Sequence, residues 1–341
     1  YNAGSGVTTG IQNTFIGGLS GDANTTGNEN TSVGYASLST ATTAGGNNAF
    51  GWGSMLNTTT GYANVAMGVS SLGAQTTGNQ NVALGHATLD ALTSGALNTA
   101  VGSAAGGSVT TGVRNTLIGK GAGDALTDAD DNTATGEQSL TSDTLGSKST
   151  AIGAGALATQ NYTTATDSFN TAVGYYAGVN LTTGRNNTLI GSGAGDAITT
   201  AGGNTAVGLD ALGANTAGTN NTAVGTNALL DLNITSGDSL STAVGLDAGR
   251  RMNTGIRNVC IGANSWATVS DERYKKDIVD STAGLSFINA LTPRTFKYKT
   301  LGELPETFRA YEADSTKVFK NSNTNHGFIA QEVKAAIDAD S

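Results

Sequence analysis

Asp124, Asp128, Asp130 and Asp131 crowd four carboxylates into one short stretch. Paired carboxylates hydrolyse glycosides, one protonating the leaving oxygen while the other attacks or activates water. A sugar site also needs aromatic faces for stacking, and only 6% of the 341 residues are Phe, Trp or Tyr. A solvated loop accounts for the four aspartates better. His86 and His326 are the only histidines and stand far apart, without the ligand spacing of a zinc site. Gly121-Ala-Gly-Asp124 and Gly193-Ala-Gly-Asp196 bear a faint likeness to calcium-binding β-roll repeats, which require a nine-residue tandem period with aspartate in each turn. Gly51-Trp-Gly53 and Gly191-Ser-Gly193 look like fragments of nucleotide-binding loops. With 49 glycines in the chain such strings arise by chance, and no strand-then-helix context surrounds them. No cofactor and no metal site is expected.

Composition narrows the classes further. The 49 glycines come with only 2 prolines and no Gly-X-Y period, which excludes collagen, and 38% apolar content argues against plain disorder. A net charge of −9 supplies no basic field for a nucleic-acid backbone or an anionic membrane surface. Cys260 is the single cysteine, so no intrachain disulfide forms and the redox compartment stays open. No run approaches the roughly 18 apolar residues of a membrane span, and no signal peptide opens the chain. The chain begins at Tyr1 rather than Met and reads as a piece of a longer or processed polypeptide.

The elements that must position any site are set by a repeat. Asn13-Thr-Phe-Ile-Gly17, Asn30-Thr-Ser-Val-Gly34 and Asn81-Val-Ala-Leu-Gly85 align at a spacing of 17. The key glycines are Gly17, Gly34, Gly51, Gly68, Gly85, Gly102, Gly119, Gly136, Gly153, Gly174, Gly191, Gly208, Gly225, Gly245 and Gly262, which makes 15 units. Four extra residues fall near Gln160–Thr164 and three near Asp231–Ser236, as insertions on one side of a solenoid do. Asn stands four residues before the glycine in 13 of 15 units, with Ser149 and Ser241 in the others, the pattern of an asparagine ladder. Three residues after the glycine only Ala, Ser or Thr occurs, and one further on only Gly, Leu, Met or Trp. Such restriction in size marks a packed interior. The residue just before the glycine is large and apolar in all units but that of Thr135, and is expected to form the core.

A unit of 17 residues is too short for two packed helices, and strings such as Asn204-Thr-Ala-Val-Gly208 favour strand. Each unit is therefore read as one coil of a β-roll or β-helix, with a rod of about 70 Å at about 4.8 Å per coil. Alternation puts Thr205 and Val207 on one face and Asn204 and Ala206 on the other. The large residues are expected to close the coil and the small face, Ala66, Ala100 or Ala172, to meet a neighbouring chain, so that homo-oligomers form. The glycine fits a tight bend or a close approach of another backbone. Threonine pairs such as Thr25-Thr26 and Thr76-Thr77 recur in the loops that precede the Asn positions. They are read as turn and strand-edge residues rather than an ice-binding array.

Composition breaks near residue 270. The 72 residues from Ser270 hold 10 Lys+Arg and 11 Asp+Glu, against 7 and 15 in the 269 before them, and both prolines lie in this second part. Leu285–Leu291 and Gln331–Ile337 have helical spacing and Thr295–Lys299 alternates as a strand, so a small α+β domain is expected.

Three strings in this part are specific: Ser270-Asp-Glu-Arg273-Tyr-Lys275-Lys-Asp-Ile278, Leu291-Thr-Pro293-Arg-Thr-Phe296-Lys-Tyr298 and His326-Gly-Phe328-Ile-Ala330-Gln-Glu332-Val333. In this order they closely resemble the C-terminal intramolecular chaperone of endosialidase-type phage tail proteins. The repeat before them resembles the Gly-rich shafts of trimeric phage tail fibres and, more loosely, the heads of trimeric bacterial adhesins. The resemblance implies a mostly β chain with a trimeric 17-residue β-solenoid shaft over 1–266 and a chaperone domain over 270–341. Relatives continue past the Ala330-Gln-Glu string into a long helical segment, so the domain is expected to be trimmed at its C-terminal end. It also implies a virion appendage for host attachment, with sister chains, other virion proteins and a host-surface glycan or protein as partners. In that family the module aligns three chains and then severs itself before a serine by a Ser-Lys pair. The serine falls on Ser270 and the lysine on Lys275, which puts the scissile bond at Val269–Ser270. A lysine acts as base for a serine hydroxyl only when burial or nearby positive charge lowers its pKa, and Arg273 and Lys276 supply such charge. Without the later strings, Ser270 reads simply as a turn and helix N-cap. Two other readings are a polysaccharide-cleaving tailspike and a bacterial surface adhesin.

Overall fold

The computed structural model describes residues 2–234, 237–252, 256–262, 291, 293–307, 311–320, 324–327 and 331–334. The chain divides into two compact units, Tyr1–Ala267 and Thr268–Ser341.

In the first unit every repeat contributes one three-residue strand ending just before its key glycine. β1 is Thr14–Ile16, β2 Thr31–Val33, β3 Asn48–Phe50, β4 Val65–Met67, β5 Val82–Leu84, β6 Thr99–Val101, β7 Thr116–Ile118 and β8 Thr133–Thr135. β10 is Thr150–Ile152, β12 Thr171–Val173, β13 Thr188–Ile190, β14 Thr205–Val207, β15 Thr222–Val224, β16 Thr242–Val244 and β17 Val259–Ile261. They pair in chain order, all parallel, into one 15-stranded sheet. Register is exact to the repeat, Thr99 opposite Thr116 and Val101 opposite Ile118. The chain is a mostly β solenoid, as the 17-residue spacing predicts. The four-residue insertion falls in the segment between β9 (Gly146–Ser147) and β11 (Thr166–Asp167), which pair with each other as a separate two-stranded sheet.

The expected core face is reversed. Ile16, Met67, Ile118, Ile152, Ile190 and Val244, each just before its glycine, are exposed, whereas the middle residues Ala66, Ala100, Ala134, Ala172 and Ala206 are wholly buried. The cause is that the interior is narrow. Across from each strand stand Leu38, Met55, Leu72, Leu89, Leu140 and Leu212, four residues past a glycine and themselves fully buried, and they leave room only for a methyl group. Alternation then turns the large residue outward.

Where the middle residue is large the opposite wall gives way. Leu117 sits between Gly106 and Gly123, where an added Cβ would lie 2.6 and 2.7 Å from its methyl groups. Leu189 sits in the same way between Gly178 and Gly195, at 2.7 and 2.8 Å, and Phe15 between Gly4 and Gly21. Volume is conserved coil by coil, as dense interiors require.

The key glycines meet both conditions expected of them. Gly102 has φ +133°, a region that only glycine populates freely, and a Cβ there would lie 2.6 Å from the carbonyl oxygen of Gly119 in the next coil. Each coil also bends at non-glycine residues held left-handed, among them Ala87 (φ 49°) and Leu89 (φ 48°). Nothing in their residue types announces this. The conformation is imposed by backbone bonds to the adjacent coils, such as Ala87 N–H to Val69 O at 2.9 Å and Leu89 N–H to Ala105 O at 3.0 Å.

In the second unit β18 (Arg294–Phe296) pairs antiparallel with β19 (Asn325–Gly327). A 3-10 turn covers Leu301–Glu303, and 331–334 are helical. The strand and the second helix expected here are thus present in part, while Leu285–Ala290 lie outside the described residues.

Candidate functional site

Ser270 and Lys275 lie outside the described residues, as does the whole first string through Ile278. The second and third strings are brought together. β18 carries Arg294-Thr-Phe and β19 carries Asn325-His-Gly, with Arg294 opposite Gly327 and Phe296 opposite Asn325. The Arg294 guanidinium donates Nε and Nη2 to the two oxygens of Glu332 at 3.0 and 2.8 Å. This fork joins an arginine of the second string to a glutamate of the third, and it explains why both strings carry those residue types. The arginine's hydrogen bond holds the Glu332 carboxyl below its ordinary range. Phe296 meets Tyr298 edge to face at 5.5 Å, and Lys320 lies 5.2 Å from the Tyr298 ring centre.

The solenoid spends its polar side chains on holding coil to coil. Asn98 donates Nδ2 to Asn81 Oδ1 at 3.1 Å and to Gly112 O at 2.8 Å. Its own Oδ1 accepts the N–H of Asn115 at 3.0 Å. The asparagine ladder is therefore structural, and it is buried except at its end members Asn13 and Asn258. The first threonine of each pair is occupied too: Thr25 Oγ1 donates to Thr42 O at 3.0 Å, and Thr76 Oγ1 to Thr93 O at 3.1 Å. Three of the four clustered carboxylates likewise accept from the coil before them, Asp128 from Thr111, Asp130 from Val113 N at 2.8 Å and Asp131 from Arg114 at 2.6 and 3.1 Å. That guanidinium bond lowers the Asp131 pKa.

One buried cluster escapes sequence reasoning. Seven residues past the key glycine most coils from the fifth onward place Leu or another apolar residue, such as Leu126, Leu181 and Ile198, but next to the first insertion Asp143 and Gln160 stand there. Asp143 accepts the N–H groups of Gly146 at 3.1 Å and Tyr162 at 3.0 Å, and the Gln160 amide at 2.6 Å. Gln160 donates also to Ser149 Oγ at 2.8 Å, and its Oε1 accepts from Asn170 at 2.9 Å. Tyr162 donates its hydroxyl to Gly184 O at 2.6 Å, and burial pushes its pKa up to about 12. The network carries the asparagine ladder across the point where Ser149 interrupts it. Polar residues also stand in this column at Asn24, Thr58, Gln75 and Asn215, so the one sequence signal is that Asp143 is its only ionisable residue.

Burial raises the Asp143 pKa above its ordinary value, against the pull of these hydrogen bonds. The native state therefore holds the proton more tightly than the unfolded chain does. The sign follows: the stability contributed by the protonated form is fully present below the unfolded pKa of about 3.9 and is lost as pH rises through the native value. The melting temperature of Asp143→Asn relative to the unsubstituted chain is expected to rise between pH 4 and pH 7, at about 2–4 °C for each kcal/mol. A difference that is flat or falls over that interval contradicts a costly buried carboxylate.

Comparison with known families places residues 270–340 in a match to the model described as "Chaperone of endosialidase". Comparison with curated proteins and with solved structures found no match. The class defined by the fold is a β-solenoid shaft carrying a C-terminal domain of chaperone type. That combination fits a phage tail fibre with a C-terminal chaperone domain. Among the described residues no helix is long and apolar enough to cross a membrane.

Proposed function

We propose that the chain is the shaft of a homotrimeric phage fibre, an extracellular virion part used in host attachment, and that residues 270–341 act as an intramolecular chaperone that sets chain registry and is then released. The observation that carries this reading is the succession of a regular solenoid, 17 residues per coil in all but two coils, and a chaperone-type segment whose family match begins at Ser270. Uniform coils create the need for such a module, because a slip by one coil exchanges one set of contacts for an equivalent set. A clamp that assembles beyond the repeats removes that degeneracy.

Release is read as acyl transfer within the chain. Ser270 Oγ attacks the Val269 carbonyl carbon while the neutral Lys275 amine takes the hydroxyl proton. The C–N bond breaks, and the nitrogen leaves as the amino group of Ser270, with the proton returned by Lys275. Water then hydrolyses the Val269 ester, giving a carboxylate and restoring the hydroxyl. Arg273 and Lys276 favour the neutral form of Lys275 by like-charge repulsion.

The test is expression of the full chain beside Ser270→Ala and Lys275→Ala. The unsubstituted chain is expected to yield fragments ending at Val269 and beginning at Ser270, both variants a single full-length band, and the shaft the solution mass of three chains. Identical full-length bands for all three overturn the cleavage reading; a monomer in solution overturns the trimeric shaft.

A further inference from the structure

The outward face of the 15-stranded sheet is uncharged and carries a row of exposed apolar side chains. On it every strand from β1 to β17 in the 15-stranded sheet presents the residue just before its glycine, and Ile16, Met67, Ile118, Ile152, Ile190 and Val244 are exposed there. The other outward residue of each strand is Thr, Asn or Val, so no strand of this sheet carries a charge, although the chain as a whole bears −9. At about 4.8 Å per coil and about 3.3 Å per strand residue, the face is on the order of 700 Å². The face sets a threonine-rich column beside a ridge of Val, Ile and other apolar residues, and its extent is close to the roughly 800 Å² that each partner contributes to a specific interface.

We infer that this Thr-x-Val/Ile face is the surface through which sister copies of the chain pack, which rests on the self-associating shaft proposed above and names its interface. The occupant follows from periodicity. The face offers one apolar ridge per coil, and a partner that fills every interval must itself advance by one coil height over the whole length. A second copy of this solenoid does so with the same face, as a rotationally symmetric assembly demands. A flexible peptide or a sugar chain has a different repeat and falls out of step within a few coils. Packing along this face is also the contact in which a one-coil slip is nearly silent, which links it to the need for a registry module.

The experiment uses the full chain with Cys260→Ala and one new cysteine at a time: Ile118→Cys or Val207→Cys on the face, Thr111→Cys or Thr183→Cys at exposed turn positions. These side chains point outward, and Thr135 shows that the first position tolerates a small polar residue. Far-UV circular dichroism and solution mass are recorded before mild oxidation. Cysteines on the face are expected to link chains at least about tenfold more than the turn cysteines, because a disulfide forms only where the Cα atoms come within about 7 Å. If the chain self-associates but the face cysteines link no better than the turn cysteines, the inference falls and the self-associating shaft stands. If the chain is monomeric, both fall. If one face variant fails to fold, the other decides the matter.

Discussion

Replacing Gly102 by alanine is expected to destabilise the solenoid by more than about 4 kcal/mol, enough to expose the coils on either side to proteolysis at moderate temperature. Two penalties act together. At φ +133° an L side chain meets its own backbone, and the new methyl would stand 2.6 Å from the carbonyl oxygen and 2.7 Å from the carbonyl carbon of Gly119. The obstacle is backbone rather than a flexible side-chain tip, and it is pinned on both sides: Gly102 N–H bonds Leu84 O at 2.8 Å and Gly119 N–H bonds Val101 O at 2.8 Å. Relief requires the coils to separate, which breaks those bonds. Thermal unfolding followed by circular dichroism checks the expectation. Gly53→Ala is the comparison: that glycine also has positive φ, at +62°, but an added Cβ meets nothing within 4 Å, so it is expected to cost about 1–2 kcal/mol. Equal costs at the two positions would mean that close stacking of backbones is not what the key glycines serve.

The second large effect is expected from Leu117→Ala, at about 3–5 kcal/mol, the range for deleting a fully buried leucine. The cavity would open between Gly106 and Gly123, neither of which has a side chain to fill it. Adding Gly106→Leu and Gly123→Leu to Leu117→Ala recreates the arrangement around Ala83, which lies between Leu72 and Leu89. Both glycines already have the left-handed φ, +60° and +59°, at which Leu72 and Leu89 stand with +54° and +48°. Leu89 and Leu126, which now lean toward those glycines, must swing back. The triple variant is expected to recover most of the loss, whereas either Gly→Leu alone, set against the intact Leu117, destabilises. Denaturant unfolding of the set measures the coupling, and a triple variant no more stable than Leu117→Ala refutes the exchange of volume between the two walls.

The exchange was present in the sequence. Positions 15, 117 and 189 are large where the pattern has Ala or Ser, and the flanking positions 4 and 21, 106 and 123, 178 and 195 are glycine where it has mostly Leu or Met. It becomes visible only when the middle of the strand and the position past the glycine are known to face each other. The seam around Asp143 is the same kind of case: a carboxylate in a column that has no other ionisable residue is legible in the sequence, but its partners Gln160 and Tyr162 come from an insertion whose path no period dictates.

Sequence alone determined what repeats along the chain: the 17-residue period, the glycine that no other residue can replace, the asparagine that bonds its own image in the next coil, and the change of composition at residue 270. Stacking identical coils makes each position meet itself, so a one-dimensional pattern already specifies those contacts. The tertiary structure decided what lies across the coil. Strand alternation separates Ala100 from Val101 but does not say which is inside, and that choice depends on how much space the opposite wall leaves. Leu89 and its equivalents fill it, the methyl goes inward, and the valine and isoleucine ridge is left facing out.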